Sequence, residues 1–383
     1  MPAVSDVLVR TQKVIDDDVR PRAGRNDKEG RFPREGVVAL GKAGLLGLPL
    51  PLAVGGMGLG PREFSEVTAR IAEADASLAM VYAMHVCGAL VVAQAPENPR
   101  LHDLLGEMAR GEHLTTLAFS EKGSRSHFWA PVSRAVPNGD GVHLTAQKSW
   151  VTSAGEANSY VVITQATQAT SPTESTLYLM PEGARGLRVL SRWEGLGLRG
   201  NASSPMALEN VLLPPELRLT PEGKAFDTLL GVVLPWFNLG TAAMSLGLCR
   251  ASVAATVEHL RSSRLEHMGQ SLAEAYPTLR ARVAHMQLET DRLEALVEGT
   301  VRRLEKPDDR TTLAVLEVKA AGNEAALQVT AEAMRSCGGA AFSGHTSIDR
   351  FFRDAQAGAV MAPTVDQLQD FIGRALVGLP LFG

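Results

Sequence analysis

The feature that most constrains this chain is a change of residue pattern at two points along it. Between residues 113 and 217, short runs rich in Val, Thr, Leu and Tyr alternate with turn residues such as those of Asn138–Gly141. This pattern is typical of an antiparallel sheet. Before and after it, apolar residues recur at helical spacing. The order predicts an α+β fold of three domains: an N-terminal helical domain (1–112), a middle antiparallel β-domain (113–217) and a C-terminal helical domain (218–383).

The C-terminal part contains enough helical pattern for a bundle. Apolar spacing predicts long helices over about 226–263, 272–305, 311–337 and 348–377. Pro363 must distort or interrupt the last of these, because proline lacks a backbone donor and clashes with the preceding turn. The expected domain is therefore a four-helix bundle.

One uncharged stretch could be mistaken for a membrane span. Residues 229–249 read LLGVVLPWFNLGTAAMSLGLC, which meets the usual length threshold. However, Pro235, Asn238 and Ser245 interrupt its hydrophobicity. A helix buried on all its sides within a large core explains the stretch better, and we predict no membrane span.

Composition excludes several classes of protein. The 38 Lys and Arg residues against 42 Asp and Glu give a net charge of −4, so no basic surface for nucleic acid is expected. The three cysteines lie far apart, which fits a reducing compartment, and no Cys or His spacing suggests a metal site. The first residues carry charges where a signal peptide needs an apolar core, so a cytoplasmic location is expected.

Four segments in order carry a family resemblance. They are AFSEKGSRSHFWAPVSRA at 118–135, KSWVTSAGEANSYVV at 148–162, EGLGLRGNASSPMALENVLLPPEL at 194–217, and GGAAF at 338–342 with IDRFFRDAQ at 348–356. Together with the helix and strand pattern, they resemble the signatures of the acyl-CoA dehydrogenase family. The resemblance implies FAD bound between the middle and last domains, and a homodimer or a homotetramer built as a dimer of dimers. It also implies hydride transfer from a thioester β-carbon to flavin N5, while a glutamate removes the α-proton.

The resemblance also suggests which residues would hold FAD. Ser120, with the backbone of Phe119, matches the threonine at the pyrimidine edge of the flavin, and Ser126 matches a serine on the pyrophosphate. Trp150 matches a tryptophan packed on the ring system, and Thr152 a threonine near N5. Two more candidates lie outside these segments. Arg264 is offset by about one residue from a family arginine that contacts FAD across subunits, and Thr364 matches a threonine that contacts the cofactor.

The family's catalytic glutamate has no counterpart at either of its known positions. One position, just after the Arg353-Asp354 pair, is Ala362, and the other, on the first long helix of the last domain, is Phe237. A methyl group cannot accept a proton. His85 is a weak candidate base, since a histidine on an apolar helix is more often structural. For Glu121 a structural role is favoured, and Asp366 is expected to point outward.

These observations leave three functions open. The first is an FAD-dependent oxidoreductase that oxidises an acyl thioester, on CoA or a carrier protein, or a related small substrate, and passes electrons to a protein partner. The second is a flavin-dependent monooxygenase of the same fold, supplied with reduced flavin by a reductase and using oxygen. The third is a catalytically degenerate paralogue that still binds flavin. The intact set of Ser126, Trp150 and Thr152 argues against complete loss of flavin.

Overall fold

The computed structural model describes residues 4–95, 98–125 and 127–381, and in this part the order of elements is helical, β, helical. The N-terminal helices pack around α5, whose first turn is capped by Asp75 accepting from the Leu78 backbone N–H at 3.1 Å. Helix α5 is buried on nearly every face, so its sequence is apolar all round rather than amphipathic. The helices are α1 (Val4–Val14), α2 (Arg20–Glu29), α3 (Arg34–Lys42), α4 (Pro61–Ala74), α5 (Ala76–Ala93) and α6 (Pro99–Ala109), with a π-turn at Ile15–Val19 and short 3-10 turns at Leu45–Gly47 and Leu52–Val54.

The middle domain contains two sheets. One has the strand order β1-β4-β5 and the other β2-β3-β7-β6. All pairs are antiparallel except β1 with β4, which run parallel. Parallel neighbours need a long connection, and the chain between these two forms β2 and β3 of the other sheet. The strands are β1 (Thr115–Ala118), β2 (Val136–Asn138), β3 (Gly141–Val151), β4 (Ser159–Gln165), β5 (Ser175–Pro181), β6 (Leu187–Val189) and β7 (Ser204–Leu213), followed by a 3-10 turn at Pro215–Leu217.

The last domain is the predicted four-helix bundle. Its long helices pack against one another, with the fourth split into α13 and α14 at a loop that contains Pro363. Thr364 starts α14 as its N-cap. The elements are α7 (Ala225–Thr228), α8 (Leu234–Ser262), β8 (Arg264–Leu265), β9 (Gln270–Ser271), α9 (Leu272–Ala275), α10 (Pro277–Glu305), α11 (Thr311–Cys337), α12 (Gly339–Phe342), α13 (Ile348–Val360) and α14 (Val365–Leu376).

The uncharged stretch becomes the central helix of the molecule. A π-turn at Leu229–Val233 joins α7 to α8 without a break, and Pro235 is the second residue of α8. The backbone pairing thus changes just before the position where proline has no N–H to donate. Gly247 lets α8 lie against α4, because a Cβ there would be 2.2 Å from the Ala69 carbonyl oxygen. Both α5 and the helical stretch Ala225–Ser262 are long and apolar enough to cross a membrane, but most of each is buried inside the protein.

A buried polar junction joins the three domains. Arg353 on α13 forms an ion pair with Asp27 on α2, with Nη2 at 2.6 Å from Oδ2. The next residue, Asp354, accepts a 2.7 Å hydrogen bond from the backbone N–H of Leu198, in the loop before β7. The first and last domains therefore hold this loop of the β-domain in place.

Candidate active site

A cavity of about 700 Å³ opens where the three domains meet. The cavity is lined by the end of β1 and the turn after it, the end of β3, the loop before β7, and the helices α5, α8 and α13. Its described lining residues are Met80, Met84, Leu117, Phe119, Ser120, Glu121, Lys122, Gly123, Arg125, Phe128, Ser149, Trp150, Thr152, Trp193, Leu198, Asn201, Ser203, Val233, Leu234, Phe237, Ala357, Val360, Met361 and Ala362.

We call the part of this lining contributed by residues 117–203 the β-wall. Phe119 and Ser120 follow β1, and the Ser120 carbonyl accepts a 2.8 Å hydrogen bond from the Ser149 N–H. The pairing of β3 with β7 is irregular between Lys148 and Val151, and Trp150 there has a positive φ of 55°. Such an irregularity redirects a side chain. The Trp150 indole is 67 % exposed and meets Trp193 edge-on, with ring centroids 5.9 Å apart.

Thr152 lies just beyond the end of β3 and is buried. Its hydroxyl is 3.2 Å from that of Ser203, and the Ser203 backbone N–H donates to Asn201 Oδ1 at 3.1 Å. Sequence reasoning missed Asn201, Ser203 and Trp193 as residues of the cavity. The available signal was the polar run Asn201–Ser204 after the Leu-Gly-Leu-Arg-Gly stretch.

Glu121 supports the β-wall from behind. Its carboxylate accepts from Lys148 Nζ at 2.6 Å, from the backbone N–H groups of Val132 and Ser133 at 2.7 Å each, and from the Ser133 hydroxyl. Burial alone would raise the pKa of this carboxyl, but Lys148 and the Ser133 donors outweigh burial and hold the pKa below its ordinary value. Glu121 is thus ionised and fully engaged, which agrees with the structural role favoured from the sequence.

The opposite side of the cavity, which we call the helical wall, is apolar. Among the described lining residues, those from α5, the π-turn, α8, α13 and the loop after α13 carry no titratable side chain: Met80, Met84, Val233, Leu234, Phe237, Ala357, Val360, Met361 and Ala362. Phe237 and Ala362 are the two positions at which the family resemblance places a glutamate. The structure brings both to one cavity, so a carboxylate at either position would reach the same ligand.

Lys319 on α11 lies behind the helical wall and is fully buried. Its Nζ donates to the carbonyl oxygens of Met361 at 3.1 Å and Pro363 at 2.9 Å, on either side of Ala362. The same nitrogen lies 4.7 Å from the centroid of the Phe237 ring. Burial lowers the pKa of this amine well below its ordinary value. Lys319 therefore anchors the loop that carries Ala362.

The structure does not bring His85 to the cavity. Its imidazole is completely buried in α5, and Nδ1 accepts a 3.1 Å hydrogen bond from the Thr115 backbone N–H at the start of β1. Burial lowers the pKa of His85 to about 4, so the ring is neutral at physiological pH. His85 therefore joins α5 to the sheet, because its Nδ1 already accepts a hydrogen bond from the Thr115 N–H inside the core.

The remaining sequence candidates lie elsewhere or outside the described residues. Arg264 is exposed on β8 and donates to the Gly269 carbonyl, away from the cavity of its own chain. Thr364 caps α14, with its hydroxyl accepting from the Gln367 N–H at 3.4 Å, and is not among the lining residues. Asp366 is exposed, as expected. Ser126 lies outside the residues that the structure describes.

Comparison with known proteins agrees with this architecture. Three family models match in succession: the acyl-CoA dehydrogenase N-terminal domain over residues 6–112, the middle domain over 116–211 and the C-terminal domain over 231–377. The chain belongs to the acyl-CoA dehydrogenase family. The predictions of the family, of its three-part fold and of a flavin-dependent oxidoreductase are thereby confirmed.

Relatives span nearly the full length of the chain at low identity. A probable acyl-CoA dehydrogenase FadE25 of Mycobacterium tuberculosis is 22 % identical, covering 94 % of this chain and 92 % of the relative. The mitochondrial isovaleryl-CoA dehydrogenase of Arabidopsis thaliana is 26 % identical, covering 95 % and 88 %. Among solved structures, butyryl-CoA dehydrogenase from Megasphaera elsdenii superposes with a TM-score of 0.91 at 21 % identity, covering 98 % and 99 %.

The β-wall fits the FAD that this family uses. An exposed indole on the cavity side offers a flat apolar face to a flat ring system. Among the described residues, the Ser120 hydroxyl has no hydrogen-bond partner, so it is free for a ligand at the cavity. The cavity volume lies within the range of ligand sites that enclose drug-sized groups.

Proposed function

We propose that this protein oxidises an acyl thioester, carried on CoA or on a carrier protein, or a related small substrate, with FAD as the hydride acceptor. The proposal depends on one observation: the β-wall, which carries the residues expected to hold flavin, and the apolar helical wall face the same cavity. An apolar wall suits an acyl chain, since burying each methylene group is favourable by about 0.8 kcal/mol. Electrons would then pass to a protein partner.

In this proposal Ser120 and the Phe119 backbone contact the pyrimidine edge of the flavin, Trp150 packs on its ring system and Thr152 lies near N5. Bound FAD would supply the hydride acceptor. The chain itself positions the ring, since the Glu121–Lys148 pair joins the turn after β1 to β3. Ser126 and Thr364 complete the proposed set, and Arg264 would contribute from another copy of the chain in a homodimer or homotetramer.

The chemistry of proton removal must differ from that of a relative with a glutamate. Among the described lining residues, Glu121 is the one carboxylate, and its acceptor positions are occupied. We propose that the substrate has an unusually acidic proton, or is oxidised at a carbinol or amine carbon, so that no strong base on the helical wall is needed. The proton would then go to solvent or to a basic group elsewhere on the substrate, such as an amine.

The same apolar wall favours a second candidate, a flavin-dependent monooxygenase that receives reduced flavin from a reductase and uses oxygen. Such chemistry needs no glutamate at positions 237 or 362. The dehydrogenase-like strand KSWVTSA argues for the first candidate instead. For either reaction we propose a cytoplasmic location.

Anaerobic flavin bleaching tests the proposal. Purified protein should be yellow, and mixing it with a panel of acyl, hydroxyacyl and aminoacyl thioesters should bleach the flavin with at least one member. Bleaching by none, together with a transient hydroperoxide spectrum when the reduced protein meets oxygen, would replace the first candidate with the second. A colourless protein that rejects added FAD would contradict both. A protein that binds FAD but shows neither reaction would be the catalytically degenerate paralogue.

A further inference from the structure

The charges on the cavity lining do not balance. Three described lining residues are charged: Glu121, Lys122 and Arg125. Glu121 is neutralised from behind by Lys148, which is itself outside the lining. In the part of the chain that the structure describes, the Lys122 ammonium and the Arg125 guanidinium have neither an ion-pair partner nor a side-chain hydrogen bond, and both are exposed. The cavity therefore presents a surplus of two positive charges on one short turn.

The turn that carries them is rigidly built. The backbone N–H of Lys122 donates to the Gln147 carbonyl on β3 at 3.0 Å. The buried Ser124 hydroxyl accepts from the Glu121 N–H at 3.2 Å and donates to the Glu121 carbonyl at 3.1 Å. Arg125 is held in the left-handed region, with φ of 45°. A non-glycine residue persists in that conformation only where its surroundings enforce it, which is more common at ligand sites.

We propose that Lys122 and Arg125 form an anion-binding pair that takes a phosphate oxyanion of a cavity ligand. A guanidinium presents a planar fork of donors that matches phosphate, and the ammonium of Lys122, three residues earlier in the same turn, adds a second charge. The rigid turn reduces the entropy lost on binding. The helical wall has no charged lining residue among those described, so this turn is the place on the lining where an anion is stabilised.

This inference rests on the proposed function, in which two ligands carry such a group: the pyrophosphate of FAD, and the phosphate of a phosphopantetheine thioester. Both sources share one chemistry, and paired ligands separate them. FAD and riboflavin share the ring system, and FAD adds a pyrophosphate and an adenosine. 4′-Phosphopantetheine and pantetheine share the thiol arm and differ by one phosphate, while CoA adds a further nucleotide.

The test is calorimetric titration of the K122Q/R125Q variant, with R185Q as the matched control. Arg185 is an exposed arginine of the same domain and lies outside the cavity lining. FAD and riboflavin are titrated into the apoprotein, and CoA, 4′-phosphopantetheine and pantetheine into the FAD-loaded protein. The single variants K122Q and R125Q are measured too, so that a folding defect of the double variant does not end the test.

We expect at least a tenfold rise in Kd for FAD, or for CoA and 4′-phosphopantetheine, with less than a twofold change for the phosphate-free ligand of the same pair. The ligand set whose Kd rises, the flavins or the pantetheine ligands, identifies the source of the anion. The proposal is overturned if the Kd of no phosphate-bearing ligand rises by more than twofold in the variant, or if the Kd of riboflavin or pantetheine rises equally. If wild-type protein binds these ligands but no thioester bleaches its flavin, the proposed function fails while the anion pair stands.

Discussion

The β-wall and the helical wall face the same cavity but differ in almost every physical respect. The β-wall carries polar and charged side chains, is braced by a buried ion pair, and includes three non-glycine residues with left-handed backbone, Arg125, Trp150 and Leu198. The helical wall is built from methionine, valine, leucine, phenylalanine and alanine side chains. In a reaction that moves a hydride and a proton, the first wall can still hold a hydride acceptor, while the second offers no group to take the proton. The two walls therefore differ in what they offer to a hydride acceptor and to a proton.

The sharpest way to break this contrast is to return a carboxylate to the helical wall. Ala362→Glu should raise the anaerobic bleaching rate with a short-chain acyl-CoA by about 10²-fold or more, since a positioned general base contributes about 10²–10⁴-fold. Lys319, which donates to the carbonyls on both sides of position 362, would hold in place the loop that carries the new carboxyl. Stopped-flow absorbance of the flavin measures the rate.

The matched control is Ala362→Gln, which has the same shape and no base. Equal rates in A362E and A362Q would mean that the cavity does not place an acyl-CoA α-carbon near position 362. The absence of a glutamate would then say nothing about the native reaction. A gain in A362E alone would show that the helical wall still has the geometry of a dehydrogenase.

The second prediction breaks the other wall. Lys148→Met should destabilise the protein by about 3–5 kcal/mol, because it leaves the Glu121 carboxylate buried without its counter-charge. The free energy of unfolding, measured by denaturant titration, checks this. The exposed pair of Arg188 and Glu209 on β6 and β7 gives the control, since R188Q should cost no more than about 1 kcal/mol. Comparable losses in the two variants would mean that the buried pair is not what holds the β-wall.

The sequence predicted the parts of this site that depend on local pattern. The strands β1 to β7 all lie within the predicted β-region 113–217, and Pro363 interrupts the last helix, because alternation and proline act over neighbouring residues. Contacts between distant segments could not be derived in that way. Thr152 meets Ser203 across 51 residues, and β1 pairs in parallel with β4 although β2 and β3 lie between them in the chain. Trp150 was predicted from the family resemblance, whereas its exposure to the cavity depends on an irregularity in strand pairing.

The pH dependence of stability and of activity shows whether His85 is a core residue or a catalytic one. Burial lowers its pKa to about 4, below the ordinary value of 6.5, so the folded state resists a proton that the unfolded state accepts. Stability contributed by His85 is therefore present above pH 6.5 and is lost as pH falls towards 4, by at most about 1.4 kcal/mol per pH unit. Unfolding titrations across this range should show a weaker acid loss in H85Q than in wild type. A shifted pH profile of flavin bleaching in H85Q would instead assign His85 to the reaction.

The smallest effect should come from the most exposed aromatic of the β-wall. Trp150→Ala should raise the Kd for FAD by about tenfold, because an aromatic pair contributes about 0.5–1.5 kcal/mol and the lost contact area adds to this. Its indole is 67 % exposed, so the free energy of unfolding without FAD should change by only about 0.5 kcal/mol. Trp150→Phe, which keeps a flat ring, should restore most of the affinity. If W150A instead lowered the stability of the apoprotein and left the Kd unchanged, the indole would belong to the packing with Trp193, and the β-wall would lose its main reason for being assigned to the flavin.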